Sequence, residues 1–255
     1  MSKQPIHVEA FEVKFSLDPG RVLTPAGGPT PEVASALRIG GAAEEYRVAF
    51  LDGPHLDFHT ERWNIRFREK GGKREVSFKR RLPVYHGSVA GVLDTALRQG
   101  FDAEEQAEGY EAEVEWGPAR QTLSLVKEAD LGDAGWPATA AEAAALAAAA
   151  LPGKLRKWLR DGWAAAVLDV SHLYGPVRAR RWKWSALGGK TAFEVWDVRA
   201  PGGGTEPVVE VSLKARGEDE AAGSRAALRT LLEGRDGWLL ADSVLKTDLV
   251  LDRYR

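Results

Sequence analysis

WNIRFREKGGKREVSFKRR, residues Trp63 to Arg81, decides how the rest of the chain is read. Ile65, Phe67, Val76 and Phe78 alternate with charged or small polar residues, the period of a strand with one apolar face. Gly71-Gly72 between the two runs supplies a tight turn, because glycine accepts positive φ without steric cost. The stretch therefore predicts a β-hairpin. One of its faces carries Arg66, Arg68, Glu75, Ser77, Lys79 and Arg81, and the other carries the apolar residues. Which face points inward determines what kind of molecule this is.

The chain has 255 residues, a net charge of −2 and 28% charged residues, enough length for a sizeable core. A near-neutral balance argues against a nonspecific nucleic-acid binder, so any basic cluster must be local. There is no cysteine, which excludes disulfides, cysteine metal sites and cysteine nucleophiles. The first residues, MSKQPIHVEAFEVKF, lack the apolar run of a signal peptide, and no stretch reads as a membrane-spanning helix. The expectation is a soluble cytoplasmic protein without membrane or nucleic-acid partners, its oligomeric state left open. Nine tryptophans and 27 glycines suit a strand-rich fold with many turns.

Working outward from the hairpin, further strands are expected at Val8–Leu17, Tyr46–Asp52, Tyr110–Trp116, Val177–Trp184, Ala192–Val198, Val208–Arg216 and Leu245–Leu251. Thr30 with Pro31 opens a short helix, and Ser88 caps an amphipathic one reaching Gly100. A helical region from Thr139 to about Leu168 starts with a capping box, Thr139 and Glu142, and is divided at Pro152-Gly153. Glu218-Asp219-Glu220 opens a last helix that Gly234 closes. An internal echo links Glu75-Val76-Ser77-Phe78-Lys79 to Glu210-Val211-Ser212-Leu213-Lys214, and Arg66-Phe67-Arg68 to Arg178-Ala179-Arg180.

Charged strand faces are commonly solvated, which would leave a small ordinary barrel with its charges outside. Two features favour the opposite. The stripes of the helices at 88–99, 154–168 and 218–233 need an apolar surface to cover, and the outer face of a barrel offers one only if the charges point inward. The charges are also sorted. Bases gather on the hairpin and on strand 178–183, while Glu111, Glu113 and Glu115 share one face of strand 110–116. A lumen with basic and acidic walls can hold a polyanion with a divalent cation, since Arg and Lys grip phosphate oxygens and carboxylates are hard oxygen ligands.

Several segments, taken in order, resemble the CYTH or triphosphate tunnel metalloenzyme superfamily. Ala10-Phe11-Glu12-Val13-Lys14 is similar to its E-x-E-x-K strand with the first Glu absent. Phe50-Leu51-Asp52-Gly53-Pro54-His55 resembles its Y/F-x-D-T-P-D segment, Ile65-Arg66-Phe67-Arg68 its L-R-x-R strand, and Val76-Ser77-Phe78-Lys79 its L-T-L-K strand. Tyr110-Glu111-Ala112-Glu113 resembles its middle E-x-E. Val209-Glu210-Val211-Ser212 resembles the late E-x-E with Ser212 in place of the second Glu, and Leu245-Lys246-Thr247 the closing S-K-x without its Ser.

The resemblance spans nearly the whole chain. It implies an α+β fold, a closed antiparallel β-barrel of about eight strands forming a tunnel with helices packed outside. This would be one domain over residues 1–255, with a helical insertion at about 139–168 between the halves. It implies hydrolysis of inorganic triphosphate or a small organic triphosphate with Mg²⁺ or Mn²⁺. The alternatives are a non-catalytic polyphosphate- or nucleotide-binding module and a class IV type adenylate cyclase. In the residues of this chain, Glu12, Lys14 and Glu111 would be catalytic, and Glu12, Glu111, Glu113 and Glu210 would hold the metal. Lys14, Arg66, Arg68, Lys79, Arg81, Arg178, Arg180, Lys214 and Lys246 would bind the substrate. Ala10 and Ser212 remove two carboxylates that would face the metal. His55, His59, His86 and His172 lack metal spacing and read as surface or loop residues. Trp182 and Trp184 read as packing at the barrel mouth.

Overall fold

The computed structural model describes residues 3–118, 120–241 and 245–255. The hairpin forms as expected from β3 (Trp63–Lys70) and β4 (Lys73–Val84). Lys70 pairs with Lys73 across a two-residue turn in which Gly71 and Gly72 have φ of 55° and 80°, the left-handed values such a turn requires. The other strands are β1 (Ala10–Leu17), β2 (Glu44–Asp52), β5 (Tyr110–Trp116), β6 (Gln121–Asp130), β7 (His172–Ala186), β8 (Gly189–Arg199) and β9 (Thr205–Ala215). They close into a barrel in the order β1-β5-β6-β4-β3-β2-β7-β8-β9. The expected closed barrel is present, its nine strands close to the eight expected; it is mixed, not purely antiparallel, because β1 pairs parallel to β5. A parallel pair needs a long crossover, and residues 18–109 supply one.

Two expectations are corrected. Residues 121–130, passed over in the sequence, form β6 between β4 and β5. Residues 245–251, expected as a strand, belong instead to a helix, Lys246–Arg253. A short apolar run fits both periods, and here Thr247, Val250 and Leu251 are buried at helical spacing.

The apolar core lies outside the barrel wall. Ile65, Phe67, Val76 and Phe78 are fully buried and belong to the cluster that the helices cover. The helices in chain order are α1 (Pro19–Val22), α2 (Pro31–Leu37), α3 (Asp57–Thr60), α4 (Val89–Arg98), α5 (Ala103–Ala107), α6 (Ala140–Ala149), α7 (Gly153–Arg156), α8 (Trp163–Asp169), α9 (Glu218–Glu233) and α10 (Lys246–Arg253). Their starts follow the capping chemistry of the sequence. Thr30 accepts from Val33 N–H, Ser88 from Gly91 N–H and Thr139 from Glu142 N–H. Trp63 shows the outer packing: its ring lies 5.6 Å from Trp158 and 6.1 Å from Phe101.

A second apolar cluster lies on the inner side. Val48, Phe50, Val177, Ala179, Trp196 and Val198 meet Val250 and Leu251 of α10. The C-terminal helix therefore closes off the β2, β7 and β8 side of one barrel end, and its first residue, Lys246, reaches the lumen. Among the described residues, no helix is long and apolar enough to cross a membrane.

Candidate functional site

With the apolar faces turned outward, strand alternation directs the charged faces inward. The enclosed cavity has a volume of about 320 Å³, within the range of roughly 300–1,000 Å³ typical of small-molecule sites. Arg66 and Arg68 enter from β3, Lys79 and Arg81 from β4, and Glu111, Glu113 and Glu115 from β5. Glu12 and Lys14 come from β1, Glu210 and Lys214 from β9, and Lys246 from α10. Every expected site residue lines this cavity except Arg178 and Arg180.

Those two arginines point the other way. The guanidinium of Arg180 is 3.1 Å from Asp197 and donates to the Gly27 carbonyl in the loop outside the wall. Trp182, on the same face, packs against Phe193 in the outer core. The inward residues of β7 are Val177, Ala179 and Arg181, because a register shift between Val48 and Phe50 resets the alternation. Arg181 is thus the arginine that strand contributes. The sequence reading also omits Tyr46, Glu128 and Glu194 as lining residues and gives Glu115 no role. Ser124, Val126 and Glu128 alternate with the apolar Leu123 and Leu125, a signal that was present in β6.

The lumen is laced with ion pairs. Lys14 lies 2.8 Å from Glu12 and 3.3 Å from Glu115, and Lys79 also pairs with Glu115. Lys214 lies 2.8 Å from Glu113. Lys246 bridges Glu194 and Glu210, and Tyr46 donates to Glu194. Arg68 lies 2.6 Å from Glu75, while Arg66 is no closer than 3.8 Å to Glu128. Among the described residues six arginines have a buried Nε–H without an acceptor, and three of them, Arg66, Arg81 and Arg181, line the lumen. Unsatisfied buried donors are rare in folded proteins and demand an explanation. Three of them on charged groups around one cavity point to an anion as the missing acceptor.

Proton affinities follow the same pattern. Burial would raise the Glu12 carboxyl, but Lys14 and Lys214 outweigh it and bring it down to about 2. Burial raises Glu113, with Glu12 adding to the effect and Lys214 opposing it. Burial would likewise raise Glu115, yet Lys14, Lys79 and Arg81 hold it well below the usual carboxylate range. Lys79 goes the other way: burial lowers its ammonium to about 8, against the pull of Glu115 and helped by Arg81 and Lys14.

Lys79 makes the site pH-sensitive. The unfolded chain holds this proton up to the ordinary lysine range and the folded protein loses it near pH 8, so its contribution to stability rises with pH between those values. An anion bound beside Lys79 requires the ammonium, so its affinity should fall as pH rises through about 8. Calorimetric titration of tripolyphosphate between pH 7 and 9.5 checks this. Wild type should lose about tenfold in affinity, the scale of one charged hydrogen bond, and Lys79→Arg should flatten the profile. Equal slopes in both proteins would exclude Lys79 from the anion site.

The four carboxylates expected to hold a metal do not gather into a metal site. Glu12 is taken by Lys14, Glu113 by Lys214 and Glu210 by Lys246, and Glu111 is exposed. Among the described residues, no three acidic or histidine side chains are grouped to hold an ion. The donor set therefore does not fit a metal ion resident in the protein.

Other conspicuous residues serve the scaffold. Asp52 is buried and accepts from the backbone N–H groups of Gly53, Phe58 and His59, fixing the turn into α3. His59 lies 3.8 Å from Asp248 on α10.

No protein-family model and no curated protein sequence matches the chain. Solved structures do match. One is a Hippeastrum protein described as an adenylyl cyclase candidate that reveals a dominant triphosphatase activity. It is 13% identical, with 94% of this chain and 94% of that chain covered and a TM-score of 0.56. Another is an adenylate cyclase candidate from Bacillus halodurans, 14% identical, with 97% and 98% covered and a TM-score of 0.55. At these identities the likeness is one of fold.

Proposed function

We propose that this chain, which has the fold of the CYTH triphosphate-tunnel proteins, binds a triphosphate in its lumen and hydrolyses the terminal phosphoanhydride. The observation that carries the reading is the set of buried, acceptor-less Nε–H groups of Arg66, Arg81 and Arg181 around one enclosed cavity. Guanidinium groups match phosphate oxygens in geometry as well as charge. Arg68 and Lys79 extend the same basic wall. The dominant triphosphatase activity described for the Hippeastrum protein of the same fold supports the choice of reaction.

Hydrolysis needs little covalent participation from the protein. Water oxygen bonds to the terminal phosphorus, the bridging P–O bond breaks and a proton leaves the water. Glu113 suits the role of proton acceptor, since its carboxylate lines the lumen and burial raises its proton affinity. Lys14, held as an ammonium by Glu115 and Glu12 despite burial, stabilises charge on the phosphate oxygens as the bond breaks.

A second reading is favoured by the ion pairing itself. A lumen in which Glu12, Glu113, Glu115, Glu194 and Glu210 are engaged by lysines can hold a polyphosphate or nucleotide without cleaving it. Colorimetric phosphate release from inorganic tripolyphosphate and from organic triphosphates, with and without Mg²⁺ or Mn²⁺, separates the two. Release that disappears in Glu113→Gln is expected. Binding without release would establish the second reading, and neither binding nor release by folded protein would sink both.

A further inference from the structure

Lys214 occupies an unusual place. In the barrel register it stands opposite Glu12 on the adjoining β1, and Glu113 lies one strand farther on, opposite Ala10. The Lys214 ammonium nevertheless lies 2.8 Å from Glu113. To reach it, the side chain spans β1 on the lumen side, in the register of residues 10 and 12, where position 10 is only an alanine. A glutamate at position 10 would project into that path. Ser212, the neighbouring inward residue of β9, is opposite Lys14, whose ammonium is 2.8 Å from Glu12. At each of the two positions where the resembled motifs carry a further carboxylate, this chain has a small residue with a lysine beside it.

We propose that Lys14 and Lys214 are the built-in cations of this lumen, so that it takes a triphosphate without a resident divalent metal. The inference rests on the triphosphate-binding reading above. Two ammonium groups supply the charge of one divalent ion. Each has three donors, so Lys14 can keep Glu12 and Glu115, and Lys214 can keep Glu113, while each still offers a hydrogen to a phosphate oxygen. The described lining residues include eight bases and seven acids, so the lumen is balanced by protein side chains before any ion enters. Lys214 is thereby assigned as a substrate-binding residue whose position depends on Ala10.

The test is calorimetric binding of inorganic tripolyphosphate to the full chain, in EDTA and in Mg²⁺, for wild type, Lys214→Gln and Lys214→Arg. Wild-type dissociation constants in the two media should agree within about fivefold, under 1 kcal/mol. Lys214→Gln should weaken binding in EDTA by about tenfold, and Lys214→Arg should restore most of it, which controls for folding. Wild-type binding more than about fivefold tighter in Mg²⁺ would overturn the inference while leaving the triphosphate reading intact. Unchanged affinity of folded Lys214→Gln in EDTA would also overturn it. Absence of binding in both media would remove the inference together with the reading it rests on.

Discussion

Arg66→Ala is expected to weaken tripolyphosphate binding by about 1.5–3 kcal/mol, roughly ten- to a hundredfold, and to leave the melting temperature unchanged or slightly higher. Arg66 is poorly accommodated in the protein alone. Its Nε–H is buried without an acceptor, its nearest carboxylate is 3.8 Å away, and burial together with the Arg68 charge lowers its proton affinity. A half-buried guanidinium with only one distant carboxylate and an unsatisfied Nε–H costs stability, so truncating it relieves the fold. An arriving anion reverses that balance by supplying the missing acceptor. Calorimetry and thermal melting on the same protein measure both halves. A variant that unfolds while any remaining folded fraction binds normally would show that Arg66 serves the fold and not a ligand.

Trp63→Ala is expected to destabilise the protein by about 3–5 kcal/mol, the range for truncating a large buried aromatic. In a chain of this size that lowers the melting temperature by on the order of 10 °C. Trp63 is fully buried on the outer face of β3, against Trp158 from the 139–168 region and Phe101 before β5. If the charged face of the hairpin were outside and its apolar face enclosed a small closed core, these helical segments would have no seat. Trp158 and Phe101 would then not depend on Trp63. Chemical denaturation with wild-type and variant protein gives the number. A change below about 0.5 kcal/mol, typical of surface positions, would mean that the helices do not cover this wall.

Much of this was legible in the sequence because it depends on local period and turn chemistry. The hairpin's two faces, the Gly71-Gly72 turn and the capped helix starts were readable from spacing alone. The inward direction of the charges followed from what the helix stripes needed, which is a packing argument. What escaped depends on partners. Arg180 and Arg181 are consecutive, and alternation cannot choose between them; the register shift against β2 does. Residues 245–251 satisfy both strand and helix periods, and only the inner apolar patch around Phe50 and Trp196 makes the helical face the buried one. The parallel seat of β1 beside β5 carries no local signature. The engagement of Glu12, Glu113 and Glu210 by lysines is a property of the closed barrel, since it joins β1, β5, β9 and α10.

The central claim is that the inward-facing arginines of this barrel hold a triphosphate. A crystal structure grown with inorganic tripolyphosphate tests it most directly. The anion should lie inside the lumen with its oxygens on the Nε–H groups of Arg66, Arg81 and Arg181. Tripolyphosphate bound only on the outer surface, with those three donors still without an acceptor, would contradict it.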